Sequence, residues 1–472
     1  MLLRRGVFAT DLQTLIVGAL RIADLVIVAL AAVLAFVLRH STLSVPLLYV
    51  IAIIFAVLLT ATYMQMARLY VFAHLERFVN HLGRLSMTWT AVILSLIALA
   101  YFTQTSVAFS RAFVLGWFAL TFAGFILVRL LVLLQIDRWR RDRRLSLNVA
   151  IVGAGEVGQH LVHQLSAQGD GQYRIVGIFD DRQSRVPAEI EGYRVQGTVD
   201  DLIRFARRHP LDEIIVALPW RATSNLEELV KRLKLVPVNV KLCPDYVGWS
   251  LPARSFQSLA GVPMLAVLDR PLSGWSLVLK NLEDRLLASI LLILFLPLFA
   301  VIALMIKLDS PGPVLFRQKR YGFNNNRITV FKFRTMHHRP RDDERIVPQA
   351  TRNDARITRV GAFLRRTSLD ELPQLLNVLK GEMSLVGPRP HAVAHNEQYA
   401  HIIDDYLSRH RVKPGITGWA QVNGLRGETD SPEKMRRRVQ YDLYYIDNWS
   451  LYLDFKILLL TPFVGFINKN AY

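Results

Sequence analysis

Two adjacent carboxylates, Asp370 and Glu371, stand between a pair of arginines and a proline. Pro373 has no backbone N–H, so it fits the first turn of a predicted helix over Leu372–Leu379 and places Asp370 near the N-cap. The helix N-terminus and the preceding arginines, of which Arg365 is the first, would keep this carboxylate ionised and attract a phosphate. An ionised carboxylate can attack phosphorus and form an acyl phosphate. A capping aspartate accounts for the same spacing, so the residues by themselves leave both interpretations open.

Attack on a phosphate by Asp370 would crowd negative charge into a small volume. A hard divalent cation offsets such crowding, and Mg²⁺ is usually held by one or two carboxylates together with substrate phosphates. We therefore expect Mg²⁺ as a cofactor, with Asp370 as its protein ligand.

Basic residues recur on predicted strands and tight turns around this pair. Ile328–Phe333 alternates as a strand does and brings Lys332 and then Arg334 to its end. Arg389 lies in the rigid turn Gly387–Pro390. Guanidinium groups match phosphate oxygens bidentately, and single cations on separate turns favour a polyphosphate pocket. A nucleic-acid groove shows basic stripes with interleaved aromatics, so we expect no nucleic-acid partner. The residues expected to bind substrate phosphates are Lys332, Arg334, Arg365 and Arg389.

The composition places these groups in a membrane protein. The 472 residues are 52% hydrophobic, and 57 Lys+Arg against 38 Asp+Glu give a formal net charge of +19. The hydrophobic content rules out a disordered chain, and the basic excess suits an anionic lipid or a phosphorylated substrate. Cys243 is the single cysteine, which excludes an intrachain disulfide and any cysteine-based zinc or iron–sulfur site.

The N-terminal third contains apolar segments close to the length of about 20 residues that a membrane span requires. The four segments are Leu15–Leu38, Leu43–Met66, Met87–Phe102 and Ala112–Ile136. Arginines concentrate before the first segment, between the second and third, and after the fourth. The positive-inside rule therefore places both ends of this region in the cytoplasm. Arg21 and Asp24 lie one turn apart in the first segment, and we expect them to pair with each other.

A fifth apolar segment, Leu286–Leu308, carries Pro297 at its centre, where a proline removes a helical hydrogen bond and kinks the helix. If this segment crossed the membrane, the strongly basic chain after it would lie outside the cytoplasm. We therefore predict a re-entrant helix that enters and leaves by the same face. A fifth span with a proline kink is the alternative.

Between these membrane segments, strands and helices alternate, which predicts a Rossmann-like α/β domain with a parallel sheet. Gly153, Gly155 and Gly158 follow the strand Leu147–Val152 and open a helix, and Asp180 ends the next strand. This is the context of the dinucleotide-binding fingerprint. Two interpretations are open. The domain binds a nucleotide at these glycines, or the glycines serve only the tight turn and the packing of the helix on the strand. No hydride-transfer residues follow, so we expect regulation or assembly and no redox chemistry.

Two histidines, His391 and His395, lie four residues apart in the C-terminal region. The glutamate that follows the first histidine in metalloproteases is missing here. We therefore expect both side chains on a helix surface, without a metal.

Three motifs resemble those of a known family. They are Ser368–Pro390 (SLDELPQLLNVLKGEMSLVGPRP), Phe331–Met336 (FKFRTM) and Lys413–Gly424 (KPGITGWAQVNG). Together they resemble the bacterial sugar transferase family, the monotopic phosphoglycosyl transferases, over about Asn281–Tyr472. The four spans and the α/β domain ahead of this region are similar to the large polyprenyl glycosylphosphotransferase subgroup.

Within that subgroup, the chain is most similar to undecaprenyl-phosphate glucose phosphotransferases of exopolysaccharide pathways in the segments His391–Glu397, Gly424–Thr429 and Asn468–Tyr472. The resemblance implies transfer of hexose-1-phosphate, with glucose expected, from a UDP-sugar to undecaprenyl phosphate with release of UMP. It implies that Asp370 forms a phospho-aspartyl sugar and that Glu371 is its partner. It also associates Lys332, Arg365 and Arg389 with the substrate phosphates. Galactose-1-phosphate transfer and a membrane-tethered nucleotide-sensing scaffold are the alternatives.

The predicted architecture has three parts. They are a four-span membrane α-helical bundle over residues 1–145, a Rossmann-like α/β domain over 146–270, and a re-entrant-helix α/β catalytic domain over 271–472. The re-entrant helix covers about residues 286–308, and Leu296–Pro297 stands where the family often has Ser-Pro. We expect a multi-pass protein of the bacterial inner membrane with its catalytic domain on the cytoplasmic face. The expected partners are a UDP-sugar, undecaprenyl phosphate and membrane lipid, and a homo-oligomer is left open.

Overall fold

The computed structural model describes residues 9–75, 78–142, 145–167, 173–218, 223–243, 257–259, 262–337, 354–391, 393–400, 402–403, 405–425 and 431–467. The chain divides into two compact units, Met1–Leu147 and Asn148–Tyr472. The first unit is helical. The second contains an α/β sheet followed by the region that carries the Asp370–Glu371 pair.

The N-terminal unit contains the predicted apolar helices. They are α1 (Ala9–His40), α2 (Leu47–Met66), α3 (Phe72–Leu75), α4 (Phe78–Phe102) and α5 (Arg111–Arg141). Among the residues that the structure describes, five helices are long and apolar enough to cross a membrane: α1, α2, α4, α5 and a later helix, Gly274–Asp309. The expectation of apolar N-terminal helices is confirmed. Helix α4 begins nine residues before the predicted segment, because the helix continues through more polar residues that hydropathy leaves out.

A buried ion pair links α1 and α5. Arg129 donates to both carboxylate oxygens of Asp24, with Nη2 2.8 Å from Oδ2, and both side chains are buried. Tyr70 donates to the same carboxylate at 3.0 Å. The expected pairing of Arg21 with Asp24 is therefore wrong, and the Arg21 guanidinium lies 5.0 Å from the centroid of the Tyr70 ring. Packing of α1 against α5 brings Arg129, 105 residues away in the chain, next to Asp24. The planar guanidinium of Arg129 suits bidentate pairing with a carboxylate.

An eight-stranded sheet occupies the first part of the second unit, in the order β3-β4-β2-β1-β5-β6-β8-β7. Its strands are β1 (Leu147–Val152), β2 (Tyr173–Phe179), β3 (Glu189–Ile190), β4 (Tyr193–Gly197), β5 (Glu213–Val216), β6 (Asn239–Leu242), β7 (Gln257–Leu259) and β8 (Val262–Leu268). The helices between them are α6 (Glu156–Ala167), α7 (Val199–Arg208) and α8 (Thr223–Leu233). Strand β5 pairs in parallel with β1 and β6, whereas β8 runs antiparallel to β6 and β7. The predicted α/β domain is confirmed, with antiparallel strands added at its edges.

The remainder of the second unit follows a long helix, α9 (Gly274–Asp309). Its strands are β9 (Leu315–Tyr321), β10 (Arg327–Phe333), β11 (Ser384–Val386) and β12 (Gly415–Thr417). Its α-helices are α10 (Arg359–Thr367), α11 (Leu375–Lys380), α12 (Val393–Ala400), α13 (Trp419–Val422), α14 (Pro432–Asp447) and α15 (Leu451–Ile467). Short 3-10 helices cover Leu369–Gln374 and Tyr406–Arg411. Strands β9 and β10 form an antiparallel pair, and β11 pairs in parallel with β12.

Helix α9 is attached to this C-terminal region at two points. In its first half, Asp284 Oδ1 accepts hydrogen bonds from Ser384 Oγ and Leu385 N, each at 2.9 Å. Just past its end, the Ser310 carbonyl accepts a hydrogen bond from Arg334 Nη2 at 2.6 Å. The helix is therefore held at two points that are separated by its most apolar stretch.

The apolar stretch of α9 contains Pro297, and the side chains of Ile293, Leu294 and Leu296 just before the proline are exposed. The helix begins at Gly274, twelve residues before the predicted start at residue 286. Hydropathy misses these residues because they mix polar and apolar side chains, although they are helical.

Candidate active site

Helix α11 is fixed along strand β10, and this contact brings the Asp370–Glu371 pair to the strand. Asn377 on α11 is fully buried, donates from Nδ2 to Thr329 O at 2.7 Å and accepts at Oδ1 from Phe331 N at 3.1 Å. The next residue on the strand is Lys332. Because the 3-10 helix Leu369–Gln374 directly precedes α11, it lies beside Lys332.

The Asp370–Glu371 pair lies within this 3-10 helix and not at an N-cap. Ser368, just before it, adopts a left-handed conformation with φ of 59° and also ends α10. Gln374 is the N-cap of α11, four residues after Asp370. The predicted N-cap position of Asp370 is therefore wrong. Ser368 interrupts the helical conformation, and a 3-10 segment then precedes α11.

Glu371 is bound by two cations from different elements. Lys332 Nζ donates to Oε1 at 2.8 Å. Arg389 donates to Oε2 from Nη1 at 2.9 Å and to Oε1 from Nη2 at 2.6 Å. Burial of this side chain, which is 10% exposed, would by itself raise its pKa, but Arg389 and Lys332 hold that pKa well below its usual range. Glu371 is therefore an ionised partner of both cations.

Asp370 is the open member of the pair. Within the part of the chain that the structure describes, no hydrogen bond reaches its carboxylate, and the residue is partly exposed. Burial and the adjacent charge of Glu371 raise the pKa of Asp370 to about 6. The positive charges of Lys332, Arg389 and Arg365 lower the pKa of Asp370, as expected for a phosphate site. Their effect is smaller than that of burial and of the Glu371 charge. Asp370 is still mostly ionised at neutral pH and, among the described residues, is not bound by a protein cation.

The four cations predicted to bind phosphate divide between the site and the scaffold. Arg365, near the end of α10, acts on the Asp370 carboxyl through its charge. Arg334 is buried, and its guanidinium donates to the carbonyls of Ser310 at 2.6 Å and Pro311 at 2.7 Å. Its prediction as a phosphate ligand is corrected, because the guanidinium is committed to carbonyls just past the end of α9. Phosphate binding by Lys332, Arg365 and Arg389 stays a prediction.

One residue near the site was not predicted. Arg320 on β9 donates to the Pro390 carbonyl, and burial and the charge of Arg389 lower the pKa of Arg320 to about 10. Arg320 belongs to a run of basic residues on β9, and nothing in the sequence distinguishes the one that faces the site.

His391 is buried and lies ahead of α12, so its predicted place on a helix surface is wrong. Its Nδ1 is 2.6 Å from Arg409 Nη1 and 2.5 Å from the Tyr406 hydroxyl. Burial and the Arg409 charge hold the pKa of His391 well below its usual range, so the ring is neutral. The side chain of His395 lies outside the described residues.

The glycine-rich loop of the α/β domain has one glycine with open space around it. Gly153 has φ of +110°, and a Cβ at Gly158 would lie 1.9 Å from the Gly153 carbonyl oxygen, so the turn itself requires both. A Cβ at Gly155 would meet only an Arg182 nitrogen, at 3.9 Å. Asp180 accepts hydrogen bonds from the loop backbone at 2.9 Å and from Arg182 Nη2 at 3.0 Å. Gly155 is therefore not required by the turn, and the Asp180 carboxylate is bound within the protein.

Comparisons with known proteins identify the family. A family model described as bacterial sugar transferase matches residues 275–468, and one described as CoA-binding domain matches residues 65–244. A UDP-glucose:undecaprenyl-phosphate glucose-1-phosphate transferase from Xanthomonas campestris pv. campestris is 37% identical over 459 residues, 96% of this chain and 94% of that protein. This chain belongs to the bacterial sugar transferase family. The family predicted from the motifs is confirmed.

Two further relatives of this transferase differ in how much of it they match. A UDP-glucose:undecaprenyl-phosphate glucose-1-phosphate transferase from Escherichia coli (strain K12) is 43% identical over 358 residues, 76% of each chain. The exopolysaccharide production protein PSS of Rhizobium leguminosarum bv. phaseoli is 50% identical over 188 residues, 39% of this chain and 94% of that protein. The Asp370–Glu371 pair, Lys332 and Arg389 all lie within the range matched by the transferase model.

Proposed function

We propose that this transferase moves glucose-1-phosphate from UDP-glucose to undecaprenyl phosphate and releases UMP, as the first membrane step of exopolysaccharide synthesis. The observation that carries the proposal is the division within the Asp370–Glu371 pair. Lys332 and Arg389 donate hydrogen bonds to the Glu371 carboxylate, and neither donates to Asp370. Membership of the family and the names of the relatives support the choice of substrates.

In the first step, a carboxylate oxygen of Asp370 attacks the phosphorus that bears glucose. The bond from that phosphorus to the oxygen it shares with the uridine-linked phosphate breaks, and UMP leaves with the bonding electrons. The product on the enzyme is a phospho-aspartyl glucose. A pKa of about 6 leaves Asp370 ionised for this attack at neutral pH. The positive charges of Lys332, Arg365 and Arg389 stabilise the phosphate oxygens in the transition state.

In the second step, a phosphate oxygen of undecaprenyl phosphate attacks the same phosphorus. The bond to Asp370 breaks, the carboxylate is restored, and glucose is left on the lipid through a diphosphate. Two successive displacements at one carboxylate predict ping-pong kinetics.

The site fits Mg²⁺ as a cation held largely by the substrate. The described residues contain no group of three His, Cys, Asp or Glu side chains that could hold a metal ion. Asp370 is the member of the pair whose carboxylate is not already bound by protein cations. This suits Mg²⁺, which commonly takes one or two carboxylates together with substrate phosphates and water. When bound, the ion supplies positive charge that offsets the charge of the diphosphate.

The purified full-length protein in nanodiscs, given radiolabelled UDP-glucose and undecaprenyl phosphate, tests the proposal. We expect label in the lipid fraction and an equal amount of UMP. Radiolabelled UDP-galactose in a parallel reaction tests the galactose alternative. Failure to release UMP from either sugar nucleotide would instead favour the nucleotide-sensing scaffold.

We also propose that α9 is re-entrant and that α1, α2, α4 and α5 are the membrane spans. Asp284 in the first half of α9 and Ser310 just past its end would be about 39 Å apart in a straight helix. Both are nevertheless bonded to the same C-terminal region. The exposed apolar side chains just before Pro297 then form the tip that enters the bilayer. With four spans and the positive-inside rule, the catalytic region lies on the cytoplasmic face of the inner membrane.

A further inference from the structure

A buried arginine lies behind the active site on the short helix Tyr406–Arg411. Arg409 is 2% exposed, and its Nη2 donates to the backbone carbonyl of Arg389 at 2.9 Å and to Asp442 Oδ2 at 2.5 Å. Its Nη1 lies 2.6 Å from His391 Nδ1. The guanidinium therefore contacts Arg389 and His391, the residues on either side of Pro390. Arg389 is also the arginine whose side chain binds Glu371.

The segment held by Arg409 must be placed accurately, because Arg389 makes a bidentate contact. Both terminal nitrogens of Arg389 lie within 2.9 Å of a Glu371 oxygen. Such a fork tolerates little translation, since a small shift of the backbone breaks one or both hydrogen bonds. Arg320 also donates to this segment, at the Pro390 carbonyl.

Asp442 on α14 fixes Arg409 in turn. The Asp442 side chain is 3% exposed and that of Arg409 is 1% exposed, so the pair is almost completely removed from water. Such a pair adds little stability over well-packed apolar side chains, because desolvation offsets the attraction between the charges. The pair instead orients the Arg409 guanidinium. Only in this orientation does Arg409 donate a hydrogen bond to the Arg389 carbonyl.

We propose that Arg409, oriented by Asp442, is a positioning residue for sugar-phosphate transfer. It fixes the backbone of Arg389 so that the Arg389 side chain binds Glu371 and Asp370 is left open to the substrate. This inference rests on the proposed function, in which Asp370 is the nucleophile. Arg409 acts through Arg389 and touches no substrate.

The test compares Arg409→Lys and Asp442→Asn with the wild type by kcat and KM for UDP-glucose, in the full-length protein in nanodiscs. Lysine keeps the charge but has one terminal nitrogen in place of the two that Arg409 directs to His391 on one side and to the Arg389 carbonyl and Asp442 on the other. We expect kcat of Arg409→Lys to fall about 10²-fold, as for a misplaced catalytic group, with KM little changed. Asp442→Asn keeps a hydrogen-bond acceptor for Arg409, so we expect a smaller loss in kcat.

Glu213→Gln is the matched control. Glu213 on β5 is 3% exposed and forms a buried pair at 2.6 Å with Lys241 on β6 of the α/β sheet. We expect this variant to lower Tm while leaving kcat per folded molecule unchanged. A fall in Tm without a fall in kcat for Arg409→Lys would show a merely structural role and overturn the inference. If Arg409→Lys does not fold, unchanged kcat in Asp442→Asn overturns it in the same way.

A second readout does not depend on the substrates. In an experimental structure of Arg409→Lys, or of Asp442→Asn if the first does not fold, we expect at least one Arg389–Glu371 hydrogen bond to be lost. Retention of both bonds would overturn the inference. If the wild type transfers no sugar phosphate, the proposed function fails, and this structural comparison still decides whether Arg409 positions Arg389.

Discussion

Arg389 donates to both carboxylate oxygens of Glu371, at 2.9 and 2.6 Å, although the two residues are 18 positions apart in the chain. Lys332 completes the contact at 2.8 Å. Because both cations are committed to Glu371, neither neutralises Asp370 through a direct hydrogen bond. Two adjacent carboxylates thereby acquire different environments: Glu371 is bound by both cations, and Asp370 receives a hydrogen bond from neither.

Replacing Asp370 with asparagine should abolish transfer with little effect on folding. Asp370→Asn keeps the size of the side chain and removes the charge needed for attack on phosphorus. We expect activity to fall by at least about 10³-fold, as for other lost nucleophiles. Tm should stay near the wild-type value, because the described residues make no hydrogen bond to this carboxylate. Sugar transfer to lipid and thermal unfolding measure the two effects, and substantial turnover by the variant would remove Asp370 as the nucleophile.

The pH dependence of kcat/KM should follow the ionisation of Asp370. Its pKa is raised to about 6, so kcat/KM should fall as the pH drops below about 6 and level off above it. The Glu371 charge raises this pKa, so Glu371→Gln should move the acid limb of the residual activity to lower pH. The Lys332 charge lowers it, so Lys332→Met should move the limb to higher pH. Shifts in the same direction in both variants would contradict this assignment.

The topology of α9 can be tested by labelling exposed charged residues on either side of its apolar stretch. In a Cys243→Ser background, Arg285→Cys and Lys307→Cys should both react with a membrane-impermeant maleimide from the cytoplasmic side, because a re-entrant helix returns both to that face. Asn281 and Asp309 are less suitable sites for a cysteine, because replacing them would remove hydrogen bonds. Asn281 accepts from Lys413 Nζ at 2.7 Å, and Asp309 accepts from Val360 N at 3.1 Å. Labelling of the two cysteines from opposite sides would show a fifth span.

The glycine-rich loop should tolerate a side chain at Gly155 but not at Gly158. A Cβ at Gly155 meets no atom closer than 3.9 Å, whereas one at Gly158 would overlap the Gly153 carbonyl. Gly155→Val should therefore keep Tm and sugar-phosphate transfer near wild type while weakening any nucleotide binding measured by calorimetry. Gly158→Val is the contrasting variant and should lower Tm. A loss of transfer in a stably folded Gly155→Val protein would mean that the α/β domain takes part in the chemistry.

The local patterns of the sequence predict much of the fold. Runs of apolar residues predicted the N-terminal helices, and the alternation of strands and helices predicted the α/β sheet. Both signals depend on neighbouring residues, whose spacing sets which face of a helix or strand is apolar. The Asp370–Glu371 pair and the family motifs are likewise contiguous stretches of sequence.

The partners of the charged groups were decided by tertiary structure. Asp24 pairs with Arg129, 105 residues away, and not with Arg21 one turn away. Arg334 binds carbonyls just past the end of α9, although the sequence predicted that it would bind substrate phosphate as Lys332 would.

Tertiary structure also decided which cations bind Glu371. It likewise brings Arg409 to the Arg389 carbonyl, 20 positions away in the chain. Sequence alone determined which residue types the active site has available and the elements on which they lie. Which cation meets which carboxylate depends on how these elements pack, because a buried charge must find its partner within about 3 Å and local spacing does not encode contacts between distant segments.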